Sequence, residues 1–470
     1  MRVEGENLLS HIVNRRMMAK TAAKKPAKMK STGAKPGDIV RIVCSDEVLI
    51  GTFMPSEDDS IYVLKLDNGY NVGIDKKRID SLEVTVAYSI SEQKSPAEPT
   101  HKKGLPTISI LHTGGTIASK VDYRTGGVIA RFSPEELIEM FPEIGKIANL
   151  RSRLLSNMWS EDMRFVHYRI MAKAIEEEIK AGCEGVIITH GTDSLHYTSA
   201  ALVFMLKDLP VPVILVGAQR SSDRGSSDAG PNFISAAKFI VSTDFSGVAV
   251  CMHESSDDTR CAILPPAKTR KDHSSRRDAF QPVNCRPIAH IETDSGKVSF
   301  IEEDYLKKDK SRILKVHDKM EEKVAILKLH PNMFPDQFSF YKDAGYKGLI
   351  LEGMGLGHGP TGNPNPETKI HEKNKAAIAD LIKKGCVVAM TSQTINGRVH
   401  LHVYSKGIEL AEMGVIPCQD MTPETAFIKL AWLLGNYDSK EAKRLMPKDL
   451  IGEISSRTLF GAFPAHADDP

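Results

Sequence analysis

Leu105-Pro-Thr-Ile-Ser-Ile-Leu-His-Thr-Gly-Gly-Thr-Ile-Ala-Ser119 is the stretch on which the fold turns. Thr107 to His112 has the short apolar, β-branched character of a buried strand, and Gly114-Gly115 can turn sharply and bring backbone N–H groups against a ligand. In an open parallel sheet, ligands bind beyond the carboxyl ends of the strands, which puts Thr113 and Thr116 where chemistry is done. A Thr at such a turn can equally be a helix cap, so one turn decides nothing. Gly185-Val-Ile-Ile-Thr-His-Gly-Thr-Asp-Ser194 repeats the design, an apolar strand running into a Gly-Thr-Asp turn and then a helix. Two hydroxyl-bearing turns of this kind imply one shared site.

Working outward, further strands are expected at about 186–190, 213–217 and 248–252, alternating with helical patterns near 162–181, 195–206 and 231–242. That alternation predicts an α/β domain over 105–310, with a mainly parallel sheet covered on both faces. From Val324 to Lys384 the alternation resumes with Val324-Ala-Ile-Leu-Lys-Leu, Gly348-Leu-Ile-Leu-Glu, a helix at about 370–384 and Val387-Val-Ala-Met, a second, smaller α/β domain over 320–455. Upstream, residues 90–104 have a Pro-rich, polar linker composition. Residues 35–89 read as short alternating strands split by polar turns such as Ser56-Glu-Asp-Asp-Ser60, which predicts a small β-barrel of SH3-like or Sm-like size. Residues 1–34 are rich in Lys and Ala and are expected to form a basic, disordered tail able to hold RNA electrostatically, or a plain solvated extension.

The bulk numbers narrow the function classes. At 470 residues, two or three domains are expected. A net charge of +2 carries no global nucleic-acid or membrane field, so any basic partner site is local. The seven Cys, at 44, 183, 251, 261, 285, 386 and 418, are odd in number and scattered without a Cys-x-x-Cys pair, which argues against a disulfide framework or zinc site and for a reducing cytoplasm. No apolar run approaches the ~20 residues that span a bilayer. Gly353-Met-Gly-Leu-Gly-His-Gly359 follows a strand but fails as a dinucleotide loop, because His358 and Pro360 stand where the third Gly belongs. Phosphate-loop and His-Glu-x-x-His motifs are missing from the sequence, so no cofactor is expected on this chain.

Thr113-Gly-Gly-Thr-Ile-Ala-Ser119 and His190-Gly-Thr-Asp-Ser194 resemble the two signature segments of the asparaginase/glutaminase family. The resemblance continues through Ser160-Glu-Asp-Met163, Gly217-Ala-Gln-Arg220, Asp228-Ala-Gly-Pro-Asn232 and Lys271 to Phe280, covering about residues 105–455. Arg220 to Asp228, Arg276 to Phe280, Ser392 to Arg398 and Met421 to Ala426 are similar to the D-subunit branch of archaeal glutamyl-tRNA(Gln) amidotransferases, a branch that also carries an N-terminal barrel. The fold this implies is an asparaginase-like two-domain α/β core with a parallel sheet, preceded by the small barrel.

The resemblance implies roles residue by residue. Thr116 matches the usual nucleophile and Tyr123 the tyrosine that partners it, while Thr192, Asp193 and Lys271 match a triad in which the lysine acts on the threonine. Lys271 is matched by its spacing to Phe280, with Lys268 close by. Ser160 and Glu161 match the segment that holds the substrate's α-amino and α-carboxylate groups, and Gly115 and Gly191 belong to the two turns. Asparaginases commonly have Ser-Gln where this chain has Ser160-Glu161, and the Glu is typical of the amidotransferase branch; its carboxylate would pair with an α-ammonium. The reaction implied is hydrolysis of glutamine through an acyl-threonine. The ammonia would pass to an amidotransferase E subunit that uses ATP and Mg to convert Glu-tRNA(Gln) to Gln-tRNA(Gln). The implied assembly is a heterotetramer whose D subunits form a homodimer through their asparaginase-like domains. A free-standing L-asparaginase and a non-catalytic binding module are the alternatives. The intact residue set weighs against the latter.

Overall fold

The computed structural model describes residues 33–56, 58–66, 70–87, 102–115, 119–121, 128–130, 140–220 and 226–458. Residues 1–32 of the expected tail, most of the linker, Thr116 and Tyr123 lie outside the described residues. Two compact units are described, one built from residues 33–87 and the other from 102 onward.

The N-terminal unit is a five-stranded antiparallel sheet: β1 (Ile39–Cys44), β2 (Val48–Met54), β3 (Ile61–Lys65), β4 (Asn71–Asp75) and β5 (Ile79–Val86), in the order β4-β3-β2-β1-β5. The alternation read from the sequence sends Val40, Ile42, Leu64, Ile74, Ile79 and Leu82 into one core. Two register shifts between β1 and β5 bend the sheet. Gly51 lets β2 cross β3 closely, since a Cβ there would stand 2.4 Å from the Lys65 carbonyl oxygen. No ladder joins β4 to β5 among the described residues, so the expected barrel is a curled sheet around one core.

The second unit holds β6 (Thr107–His112), the short pair β7 (Ser119–Val121) and β8 (Val128–Ala130), β9 (Asn149–Leu154), β10 (Gly185–Thr189), β11 (Leu206–Lys207), β12 (Pro212–Val216), β13 (Gly247–His253), β14 (Arg260–Leu264), the hairpin β15 (Thr269–Lys271) and β16 (Phe280–Pro282), β17 (Ala289–Glu292) and β18 (Val298–Phe300). Eight of these make one sheet, in the order β18-β17-β14-β13-β12-β10-β6-β9. From β9 to β13 the pairing is parallel, as expected; β14, β17 and β18 extend it antiparallel, so the sheet is mixed rather than parallel throughout. The sequence reading did not foresee those three, because they are joined through hairpins and loops instead of helices.

Side chains of the central strands divide by parity. Val186, Ile188, Val213, Leu215, Val248 and Val250 face one core, while Ile187, Ile214, Val216 and Ala249 face the other. The second face is covered by the helix Ala229–Ser242, the first by the helices Phe165–Lys180 and Leu195–Met205.

The C-terminal lobe has a parallel sheet of β20 (Val324–Lys328), β21 (Gly348–Gly353), β22 (Val387–Ser392) and β23 (Ile416–Pro417), after the two-residue strand β19 (Lys315–Val316) that pairs with β11. Its helix Pro423–Asn436 is buried along most of its length and joins the core under the first face, where Trp432 stacks on Phe204 at 5.5 Å. The two lobes therefore share a core. No helix among the described residues is long and apolar enough to cross a membrane.

Candidate active site

The two glycine-threonine turns meet. Thr113 at the end of β6 donates from both its N–H (3.1 Å) and its hydroxyl (3.0 Å) to the carbonyl of Thr189, the last residue of β10. Gly114 and Gly115 both have positive φ, 109° and 85°. A Cβ on Gly115 would stand 2.6 Å from the Gly191 nitrogen and one on Gly114 2.3 Å from the Met158 carbonyl oxygen, and backbone cannot yield as a flexible side chain can. Glycine is thus required for the first turn to lie against the second. Gly191 in turn abuts Ser160, and Gly217 at the end of β12 abuts the Thr192 methyl, with 2.8 and 2.9 Å to a Cβ placed there.

Ser160 connects the segments. Its hydroxyl oxygen accepts from the N–H groups of Asp193 (3.1 Å) and Ser194 (3.3 Å), and its carbonyl accepts from the Ser194 hydroxyl (2.5 Å). With both lone pairs used, the O–H of this buried side chain remains to donate. Glu161 is exposed beside it. A cavity of about 410 Å³ opens here, walled by Ser160, Glu161, Asp193 and Ser194 and floored by Tyr168, Tyr197 and Phe427. Neither Thr192 nor Lys271 lines it, so the reacting end of a ligand held at Ser160–Glu161 must point away from this cavity.

Lys271, the last residue of β15, reaches across to the second turn. Its ammonium donates to the Thr192 hydroxyl at 2.9 Å and to Asp193 Oδ1 at 2.8 Å. The Lys271 side chain is 10% exposed and that of Asp193 62%, so the lysine is enclosed while the carboxylate faces the opening. Lys268 is elsewhere: its ammonium is buried against Asp420 of the C-terminal lobe at 2.6 Å. Of the two lysines the sequence offered, Lys271 is the one beside Thr192 and Asp193.

Of the expected residues, the structure brings together Gly115, Ser160, Glu161, Gly191, Thr192, Asp193 and Lys271. Thr116 and Tyr123 lie outside the described residues. Sequence reasoning missed the polar layer under the turns. His112 bridges Thr189 and Ser152 at 2.9 Å each, and His190 contacts the Thr198 hydroxyl (2.8 Å) and the Gly191 carbonyl (2.6 Å). Their only signal was polar residues at the ends of otherwise apolar strands.

Burial pulls the His112 and His190 imidazoles down to about 4. His196 is pulled to about 3 by burial and then by the nearby positive charges of Arg270 and Lys271. A histidine held below its unfolded value of about 6.5 leaves the unfolded chain binding the extra proton, so stability rises with pH across that window. Stability tied to these rings is present above pH ~6.5 and is lost as pH falls toward 4. Each ring contributes a slope of about 1.4 kcal/mol per pH unit inside the window. His196 Nδ1 has no partner among the described residues, and its ring packs against those of Tyr197 and Phe280. Replacing it by Phe should therefore flatten unfolding free energy against pH by about one such increment. An unchanged slope in denaturant titrations between pH 4.5 and 6 would count against this.

Comparison with known proteins agrees with this fold. Three family models match: the asparaginase N-terminal domain over residues 107–305, the glutaminase/asparaginase C-terminal domain over 323–446 and the GatD N-terminal domain over 34–85. The D subunit of the glutamyl-tRNA(Gln) amidotransferase of Methanococcus maripaludis (strain C5) is 46% identical over 422 residues, 89% of this chain and 98% of that relative. The protein of the same name from Pyrococcus furiosus is 45% identical over 445 residues, 93% and 98% of the two chains. Among solved structures, the thermostable L-asparaginase from Thermococcus kodakarensis aligns with a TM-score of 0.65 at 28% identity, over 75% of this chain and all of that one. L-asparaginase I from Vibrio cholerae aligns with 0.63 at 25% identity, over 75% and 99%.

Proposed function

We propose, from the premise that this chain belongs to the D-subunit family of glutamyl-tRNA(Gln) amidotransferases, asparaginase-like proteins, that it hydrolyses glutamine and supplies the ammonia to its partner in the complex. The observation that carries this reading is the Lys271 ammonium at hydrogen-bond distance from both the Thr192 hydroxyl and the Asp193 carboxylate.

The α-ammonium of glutamine sits between the carboxylates of Glu161 and Asp193, and its α-carboxylate takes the free O–H of Ser160. This directs the side-chain amide toward the glycine turns. A threonine hydroxyl is a poor nucleophile at neutral pH and needs a neighbour to take its proton or a positive charge to favour the alkoxide. Lys271 acts on Thr192, with Asp193 holding the lysine, and Thr116 is the other nucleophile candidate, partnered by Tyr123. Backbone N–H groups of the glycine turns stabilise the developing oxyanion. The amide carbon–nitrogen bond breaks as the acyl-threonine forms, ammonia leaves, and water releases glutamate. None of these steps calls for a cofactor in this chain. ATP and Mg belong to the partner, the amidotransferase E subunit, which activates the glutamate of Glu-tRNA(Gln). The D subunits pair through their asparaginase-like domains in a cytoplasmic complex that performs the ligase reaction as a whole.

The test is steady-state ammonia release from glutamine and from asparagine, by the chain alone and with the E subunit and Glu-tRNA(Gln) added. Glutamine is expected to be preferred, with turnover rising on addition of partner and tRNA. Robust asparagine hydrolysis by the chain alone, unaffected by either addition, would replace this reading with a free-standing asparaginase.

A further inference from the structure

The hairpin that carries Lys271 is fastened at both ends to the C-terminal lobe. Entering it, the Lys268 ammonium donates to Asp420 Oδ2 and to the Ser455 hydroxyl, both at 2.6 Å, with the Lys268 and Asp420 side chains 3% and 1% exposed. Leaving it, Asn284, at φ +58°, donates from its amide to the carbonyls of Gly397 (3.0 Å) and Asp420 (3.1 Å) and accepts from the Gly397 N–H (2.8 Å). The acceptors are themselves tied together. Ser455 N–H donates to Asp420 Oδ1 at 3.0 Å, and the Arg398 guanidinium spans the Ser455 carbonyl (2.6 Å) and Asp420 Oδ1 (3.5 Å).

Strand alternation explains the division of labour. Successive side chains point to opposite faces, so Lys268 and Arg270 go one way and Lys271 the other. Lys268 meets Asp420 and Arg270 meets Glu424 at 3.4 Å, both on the C-terminal lobe, while Lys271 meets Thr192 and Asp193 on the first lobe. The lever between them is short and stiff: Val283 N–H donates to the Lys268 carbonyl at 2.7 Å, and Lys271 pairs with Phe280 across the hairpin.

We infer that the Lys268–Asp420 pair positions Lys271, so that the C-terminal lobe sets the place of the lysine although Asp420 touches no reacting atom. The inference rests on the proposed role of Lys271. A buried ion pair is often replaceable by apolar residues without loss of stability, which makes a contribution to geometry separable from one to folding. A displacement of about 1 Å at a reacting group can cost ~100-fold in rate, and the 2.9 and 2.8 Å contacts of Lys271 leave no slack.

The experiment compares Lys268→Met/Asp420→Leu with wild type in the full complex with its partner, per mole of folded protein. The expected result is a kcat for glutamine hydrolysis at least tenfold lower with KM changed less than threefold, because the Ser160–Glu161 end of the site is untouched. Asn284→Gly tolerates the positive φ, releases the other end of the hairpin and is expected to show the same split; it carries the test should the paired variant not fold. Folded variants with kcat within twofold of wild type would overturn the inference, as would a loss lying mainly in KM. Lys271→Ala is measured alongside. If it keeps its turnover, the proposed function of the site fails; if it is inactive while the hairpin variants are normal, only the positioning claim fails.

Discussion

Lys271→Ala is expected to lower ammonia release from glutamine by about a thousandfold or more while leaving the protein folded. Proton transfer by a positioned side chain is worth roughly 10²–10⁴ in rate, and here one ammonium serves both the Thr192 hydroxyl and the Asp193 carboxylate. Its removal leaves Thr192 without the neighbour that acts on its hydroxyl. It does not strand a buried charge, because the Asp193 side chain is 62% exposed and water replaces the lost contact. Thr192→Ala should fall as far, and the Thr192→Ala/Lys271→Ala double variant little further, since residues that act as a unit are not additive. Lys271→Arg keeps a positive charge but cannot accept a proton at neutral pH, so it separates proton transfer from charge. Near-normal turnover in folded Lys271→Ala or Thr192→Ala would remove this pair from the chemistry and leave Thr116 to carry it.

The largest loss of stability is expected at Lys429, on the helix that joins the two lobes. Its ammonium lies 2.5 Å from Glu453 Oε1, and both side chains are fully buried. Glu453 also accepts from the N–H groups of Leu450 and Ile451, so it holds the closing segment of the described chain in a tight loop. Burial pulls the Lys429 pKa down and the Glu453 carboxylate opposes that pull. Lys429→Met leaves Glu453 as an uncompensated buried charge, at a cost of about 3–5 kcal/mol. Adding Glu453→Gln removes the charge while an amide oxygen still accepts from the backbone, so Lys429→Met/Glu453→Gln should regain at least half of the loss. The readout is the urea midpoint of each variant. A single variant as stable as wild type, or a double no better than the single, would show that the pair carries no such energy.

Much of the site was legible because it is local. A β-branched run followed by Gly114-Gly115, and another followed by Gly191-Thr192-Asp193, announce strand and turn within a few residues of each other, and the structure places the turns in contact. The helix Pro423–Asn436 was not anticipated; almost every residue from Pro423 to Leu433 is buried, so it lacks the polar face by which an amphipathic helix is recognised. The structure adds a second task for Ser160 that the sequence did not display. The Ser160 hydroxyl first holds the Asp193 and Ser194 backbone, whereas Glu161 stands exposed beside the cavity.

By itself, then, the sequence determined the strand-turn-helix units, the α/β character of both lobes and the residue types of the site, because periodicity and turn chemistry are set by neighbours along the chain. Tertiary structure alone decided which lysine stands beside the threonine. Lys268 and Lys271 are three residues apart and chemically identical, and their fates are set by partners distant in sequence: Asp420 lies 152 positions from Lys268, and Thr192 lies 79 from Lys271. Only folding brings either carboxylate or hydroxyl within reach. The low pKa values of His112 and His190 beneath the turns were likewise decided by what packs against them, since they are set by burial, which no single stretch of sequence displays.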